Sequence, residues 1–167
     1  RLPDASGMKD EVVVQWGHLT NYGHPAGQDI RMVGAKVVAV GDVNSCRPYQ
    51  LEEALNERTS AALYVVSHHC TLYGQIPFAD FVKLCHARGV PVIVDLAAEY
   101  DLTGYIKQGA DLTVHSSQKF LSGPTAGIVA GKKDLVRAAY LQSYGLGRPM
   151  KVGKEGVAGA LAALEAW

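Results

Sequence analysis

Long apolar runs are missing from this 167-residue chain. The longest, residues 61–67 and 90–94, fall far short of the roughly 20 residues a helix needs to cross a bilayer. Charge of one sign is missing too: 16 Lys and Arg balance 16 Asp and Glu. With no basic excess, there is no electrostatic footprint for nucleic acid, and no acidic tail appears. Cysteine is scarce, at three (Cys46, Cys70 and Cys85), without a CxxC spacing. An odd set of this kind excludes a closed disulfide framework and fits reduced thiols in a cytoplasmic protein. The spacings among His68, His69, Cys70, Cys85 and His86 match no common zinc pattern, so no metal site is expected. The opening, Arg1-Leu2-Pro3-Asp4, is neither a signal peptide nor an initiator methionine, and is expected to continue from an upstream segment.

What is present is an alternation of short apolar runs with amphipathic segments. Residues 11–15, 36–40, 61–66, 90–94, 111–114 and 127–130 read as strands. Helices are expected over 28–33, 51–58, 77–88, 105–108, 132–144 and 156–166. Gly89 stands where a glycine closes a helix. Uninterrupted apolar strands between helices predict a single α/β domain over residues 1–167, with a mostly parallel sheet flanked by helices. In such sheets ligands sit beyond the carboxyl ends of the strands. Four predicted strand exits carry polar residues: 15–18, 67–71, 95–99 and 115–119.

Two of those exits stand out. The strand Val90-Pro91-Val92-Ile93-Val94 stops abruptly on Asp95. The next runs into His115-Ser116-Ser117-Gln118-Lys119-Phe120-Leu121-Ser122-Gly123-Pro124, a lysine among small hydroxylated residues. A lone acid and a lone lysine at neighbouring strand ends suit a cofactor held by a covalent bond and a charge pair. Pyridoxal 5'-phosphate (PLP) fits best: it needs an amine for its aldehyde, an acid beside its pyridine nitrogen and small donors for its phosphate. Ser116 is a candidate phosphate donor. Read singly, Lys119 would be a surface lysine and Asp95 a turn cap. Tyr22 and Tyr73 are further candidates for the site. Arg148, Lys151 and Lys154 form a basic cluster, readable as a solvated face or as a receiver of substrate phosphate or carboxylate. Gly145-Leu146-Gly147 follows a helix and so is no dinucleotide fingerprint. Ser116-Ser117 lacks the Gly-x-Ser-x-Gly of a hydrolase elbow.

The segment from Val92 through Asp95 to Glu99, then Gly109-Ala110-Asp111-Leu112 and Ser116 to Gly127, resembles fold type I PLP-dependent enzymes. Gly147 to Glu155 and Gln15-Trp16-Gly17-His18, with Tyr22 and His24, narrow the resemblance to the selenocysteine synthase (SelA-like) group and its D-glucosaminate-6-phosphate ammonia-lyase branch. The resemblance implies the large domain of an aspartate aminotransferase-like fold. It also implies that the upstream phosphate loop and the C-terminal small domain lie outside these residues. It makes Lys119 the Schiff-base lysine, Asp95 the partner of the pyridine nitrogen, Ala97 a small residue under the ring and Ser116 the phosphate-binding serine. His18 falls near the ring-stacking position, and His68 and His69 near the loop that contacts the cofactor's phenolic oxygen or the substrate.

The implied activity is a lyase that removes a β-hydroxyl and ammonia from an amino acid or phosphorylated amino-sugar acid, leaving a 2-oxo acid. His68 or His69 would assist the departing hydroxyl. The alternatives are selenium transfer onto seryl-tRNA, which the neutral charge disfavours, and a non-catalytic dimerisation module. Fold type I sites are completed across a dimer interface, so a homodimer or higher homo-oligomer is expected, with no membrane partner.

Overall fold

The computed structural model describes residues 2–167. Runs of β-branched residues build its sheet: β1 (Glu11–Gln15), β2 (Lys36–Val40), β3 (Thr59–Val65), β4 (Val92–Asp95), β5 (Leu112–Ser116) and β6 (Gly127–Gly131). The strand order is β2-β1-β3-β4-β5-β6. The first four pairings in that order are parallel and the last, β5 with β6, is antiparallel. Parallel pairing puts the carboxyl ends of β1, β3, β4 and β5 on one edge. That edge therefore carries Gln15, Asp95 and Ser116, followed by the segments after each strand.

The helices are α1 (Ala26–Met32), α2 (Pro48–Ala54), α3 (Phe78–Ala87), α4 (Gly104–Lys107), α5 (Lys133–Leu141) and α6 (Lys154–Ala166). Leu51 of α2 and Phe78, Phe81, Val82 and Cys85 of α3 join Val13, Ala62, Tyr64, Val92 and Val94 of the sheet in one buried cluster. The Tyr64 ring meets Phe78 and Phe81 edge-on, with centroids 5.1 and 5.3 Å away. Phe81 is fully buried, and its truncation to alanine would cost about 3–5 kcal/mol. On the opposite face Leu63, Ile93 and Val114 are only half-buried. With Ala26 and Ile30 of α1 they border a 330 Å³ hollow.

Several sequence-based boundaries move. The helix expected over 51–58 lies at Pro48–Ala54 instead. Pro48 opens it, and the Arg47 N–H donates to Gln50 Oε1 at 2.8 Å, which caps the first turn. At its end the Arg58 N–H donates to Asn56 Oδ1 and the Asn56 N–H to Thr59 Oγ1, a local turn that replaces further helix. The strand expected from residue 90 begins at Val92. The helix expected over 132–144 narrows to a 3₁₀ turn at Gln142–Tyr144. Gly89, with φ +66°, closes α3 in the left-handed conformation that glycine adopts without strain.

Candidate active site

Three segments converge on the carboxyl edge of the sheet. The segment after β3 is stitched to β1. Fully buried Gln15 accepts the Ile76 N–H at 2.7 Å through Oε1, while its Nε2 donates to the Ile76 carbonyl at 3.4 Å. The Thr71 N–H donates to the Gly17 carbonyl at 2.9 Å. A side chain at Gly17 could not fit, because its Cβ would lie 2.7 Å from the Thr71 oxygen. Within this pinned loop the His69 N–H donates to Ser67 Oγ and the Cys70 N–H to the Ser67 carbonyl. That turn exposes both His68 and His69, whose ring centroids are 4.0 Å apart.

Asp95 ends β4, and its backbone oxygen accepts the Val66 N–H at 3.0 Å. Its carboxylate is held at both oxygens: Oδ1 accepts the Ala97 N–H at 2.9 Å, and Oδ2 faces the Tyr22 hydroxyl at 3.4 Å. Lys119 stands in a closed turn after β5. The Ser117 N–H donates to the Ala126 carbonyl, and the Gly123 N–H returns to the Ser117 carbonyl at 2.8 Å. Ser122, with φ 55°, is the one non-glycine left-handed residue among the described residues. Such a conformation costs of order 1–3 kcal/mol and holds where the surroundings enforce it.

Six residues singled out in the sequence meet here, Tyr22 among them. Asp95, Ala97, His68, His69 and Lys119 all line one 180 Å³ cavity. Both histidines reach it. Tyr22, Ser67 and Ala98 complete much of the wall. Ser116 is not on that wall, but it ends β5 close to the lysine turn, and its hydroxyl is buried without a hydrogen-bond partner. A buried hydroxyl left unpaired is a donor awaiting an acceptor.

His18 is not brought to the cavity. It is fully buried, its ring edge-on to Tyr64 at 4.4 Å, and its Nδ1 accepts the Val65 N–H at 3.2 Å. That acceptor role leaves the proton on Nε2, and burial pushes the imidazole down to about 4. The residue braces the start of the histidine loop from behind. Arg148 and Lys151 lie elsewhere, on a separate 450 Å³ cavity with Tyr140 and Tyr144. Tyr73 is almost wholly exposed.

Burial, then the charge of Asp95, pushes the Cys70 thiol up to about 11. It is therefore an inert neutral group at neutral pH, not a nucleophile. Burial raises the Tyr22 phenol against a smaller downward pull from Thr20, and the Asp95 charge raises it further. Tyr22 is thus a neutral hydroxyl that can donate. Together the cavity offers an amine, a carboxylate with its orientation set, a small residue next to that carboxylate and two imidazoles.

The chain is similar to proteins of known kind. The chain is 44% identical to the D-glucosaminate-6-phosphate ammonia lyase of Salmonella typhimurium (strain 14028s / SGSC 2262), over 98% of this chain and 44% of that protein. The solved structure of a D-glucosaminate-6-phosphate ammonia-lyase superposes with a TM-score of 0.95, again over 98% of this chain and 44% of the other. A 5'-C-glycyluridine monooxygenase-decarboxylase from Streptomyces sp is 41% identical, over 98% of this chain and 42% of the relative. The aspartate aminotransferase of Thermus thermophilus, at 18% identity and a TM-score of 0.66 over 95% of this chain and 44% of the other, shares the fold. The chain spans less than half the length of the relatives it matches. A family model described as L-seryl-tRNA selenium transferase covers residues 4–167, and the chain belongs to that family, SelA.

Proposed function

We propose that these residues form the cofactor-binding large-domain part of a PLP-dependent lyase. Its substrate would be an amino acid or phosphorylated amino-sugar acid carrying a β-hydroxyl, and its products a 2-oxo acid and ammonia, the water lost from Cβ being matched by the water that releases the ammonia. The observation that carries this reading is the meeting of Lys119, Asp95 and Ala97 on one cavity. The unpaired Ser116 hydroxyl adds a donor beside it. When bound, PLP supplies an aldehyde that links to amines and a protonated ring that takes up the electron pair left at the substrate Cα.

In this reading Lys119 would hold the cofactor's aldehyde through Nζ, and the same amine would be the group that takes the substrate Cα proton. Asp95 would face the ring nitrogen and keep it protonated. Its two donors, the Ala97 N–H and the Tyr22 hydroxyl, fix the carboxylate for that contact. Ala97 leaves room for a flat ring, and Ser116 donates its hydroxyl to the phosphate. His68 or His69, both on the cavity wall, hands a proton to the departing β-hydroxyl, which leaves as water. The 44% identity to a D-glucosaminate-6-phosphate ammonia lyase supports a phosphorylated amino-sugar acid as substrate. A cytoplasmic homo-oligomer is the setting that fits the free thiols and the family.

Selenium transfer onto seryl-tRNA is a second reading, favoured by the description of the family model. The balance of 16 basic against 16 acidic residues weighs against a tRNA surface on this chain. Ammonia release from D-glucosaminate 6-phosphate, measured on wild type and Lys119→Ala, tests the lyase reading. Release that depends on Lys119 supports it, and no release from this or other β-hydroxy amino acids contradicts it.

A further inference from the structure

We propose that Tyr22 is a positioning residue for Asp95, acting through its hydroxyl on the carboxylate that faces the cavity. This rests on the reading of Asp95 as the partner of a PLP ring nitrogen, and assigns a role to a residue from a different part of the chain. The hydroxyl lies 3.4 Å from Asp95 Oδ2, while Oδ1 is occupied by the Ala97 N–H at 2.9 Å. Each oxygen therefore faces one donor, and the carboxylate plane is set from two sides. Tyr22 and Asp95 also stand together on both hollows of this region: the 180 Å³ cavity with Lys119 and the 330 Å³ hollow over Leu63, Ile93 and Val114.

The segment that presents Tyr22 is built for a fixed position. The Ala26 N–H donates to the Thr20 carbonyl at 2.8 Å, and Asn21 bridges Pro25, closing the loop at its base. The Gly23 N–H donates to Asn21 Oδ1, and Gly23 takes φ +114°, which allows the tight reversal after the tyrosine. His24 Nε2 lies 2.9 Å from Asp29 Oδ2, pinning the loop to α1. The Tyr22 ring is edge-on to both His24 and His69, at 6.0 and 6.1 Å. Ring contacts hold the residue in place, which leaves the hydroxyl as the one atom aimed at the acid.

The test is a double-mutant cycle read by PLP binding to the apo-protein. Dissociation constants and the visible absorbance of the bound cofactor are measured for wild type, Tyr22→Phe, Asp95→Asn and the double variant. Phenylalanine keeps the ring contacts, and an unchanged thermal midpoint checks that the fold is retained. Tyr22→Phe is expected to weaken PLP by about threefold to tenfold, the worth of one hydrogen bond, and to alter the visible band. In the Asp95→Asn background the same change should have no effect. Equal losses in both backgrounds, or wild-type affinity and spectrum in Tyr22→Phe, would overturn the positioning role while leaving the cofactor site standing. Absence of PLP binding to wild type would overturn the site and this role with it.

Discussion

Lys132 Nζ lies 2.6 Å from Asp111 Oδ1, at the end of the sheet opposite the cavity. The other oxygen of this almost fully buried carboxylate accepts the Val92 N–H at 2.7 Å and meets His86 Nε2 at 2.8 Å. One acid thus ties the starts of β4 and β5 to α3 and to the residue before α5. Removing it as Asp111→Ala leaves the buried Val92 N–H without an acceptor, at a cost of about 1–3 kcal/mol. Urea unfolding of wild type and variant measures this directly.

The same carboxylate predicts an acid-sensitive stability. Burial alone would raise its pKa, but Lys132, the Val92 N–H and His86 outweigh burial and hold it below the ordinary 3.8. A depressed carboxyl pKa contributes stability above the unfolded value and loses it as pH falls through the folded one. The gap in stability between wild type and Asp111→Asn should therefore narrow below about pH 4. A gap that stays constant down to that range would contradict the linkage.

His18 predicts a second, separate pH window. Buried without an acceptor on Nε2, it resists protonation down to about 4, against 6.5 when free. The unfolded chain binds the proton first, so stability is complete above about pH 6.5 and falls as pH drops towards 4. The loss is about 3 kcal/mol across that window. In His18→Asn the dependence between those two values should flatten, as read by unfolding midpoints at stepped pH.

Much of this architecture was legible in the sequence, for local reasons. Val12-Val13-Val14 and Val37-Val38 are β-branched runs whose strand character needs no tertiary help, and β1 and β2 fall where expected. Asp95 and Lys119 stood out in the sequence because one ends an apolar strand and the other follows the next strand among small residues, and both line one cavity. The start of α2 was missed because the Gln50 side chain, not hydrophobic spacing, sets it. Tyr22 was only one candidate among several, since its contact with Asp95 crosses 73 residues. His18 was expected near the ring-stacking position because of the family resemblance. The 3₁₀ turn Trp16–His18 instead rotates it inward against Tyr64.

Gly123 carries a prediction about the lysine turn. A Cβ there would collide with Ser117 Oγ and press on Ala163 of α6 at 3.1 Å. Gly123→Ala should therefore displace the turn bearing Lys119. Cofactor retention should fall while the far-ultraviolet circular dichroism stays that of wild type.

Borohydride reduction followed by peptide mapping tests the central claim most directly, because it fixes a cofactor wherever a lysine amine has joined its aldehyde. The protein is incubated with PLP, reduced and digested, and the modified lysine is located by mass spectrometry. The expected result is one phosphopyridoxyl group on Lys119, together with loss of the visible band near about 420 nm, which is also absent in Lys119→Ala. Modification spread over exposed lysines, or wild-type absorbance retained in Lys119→Ala, would contradict it.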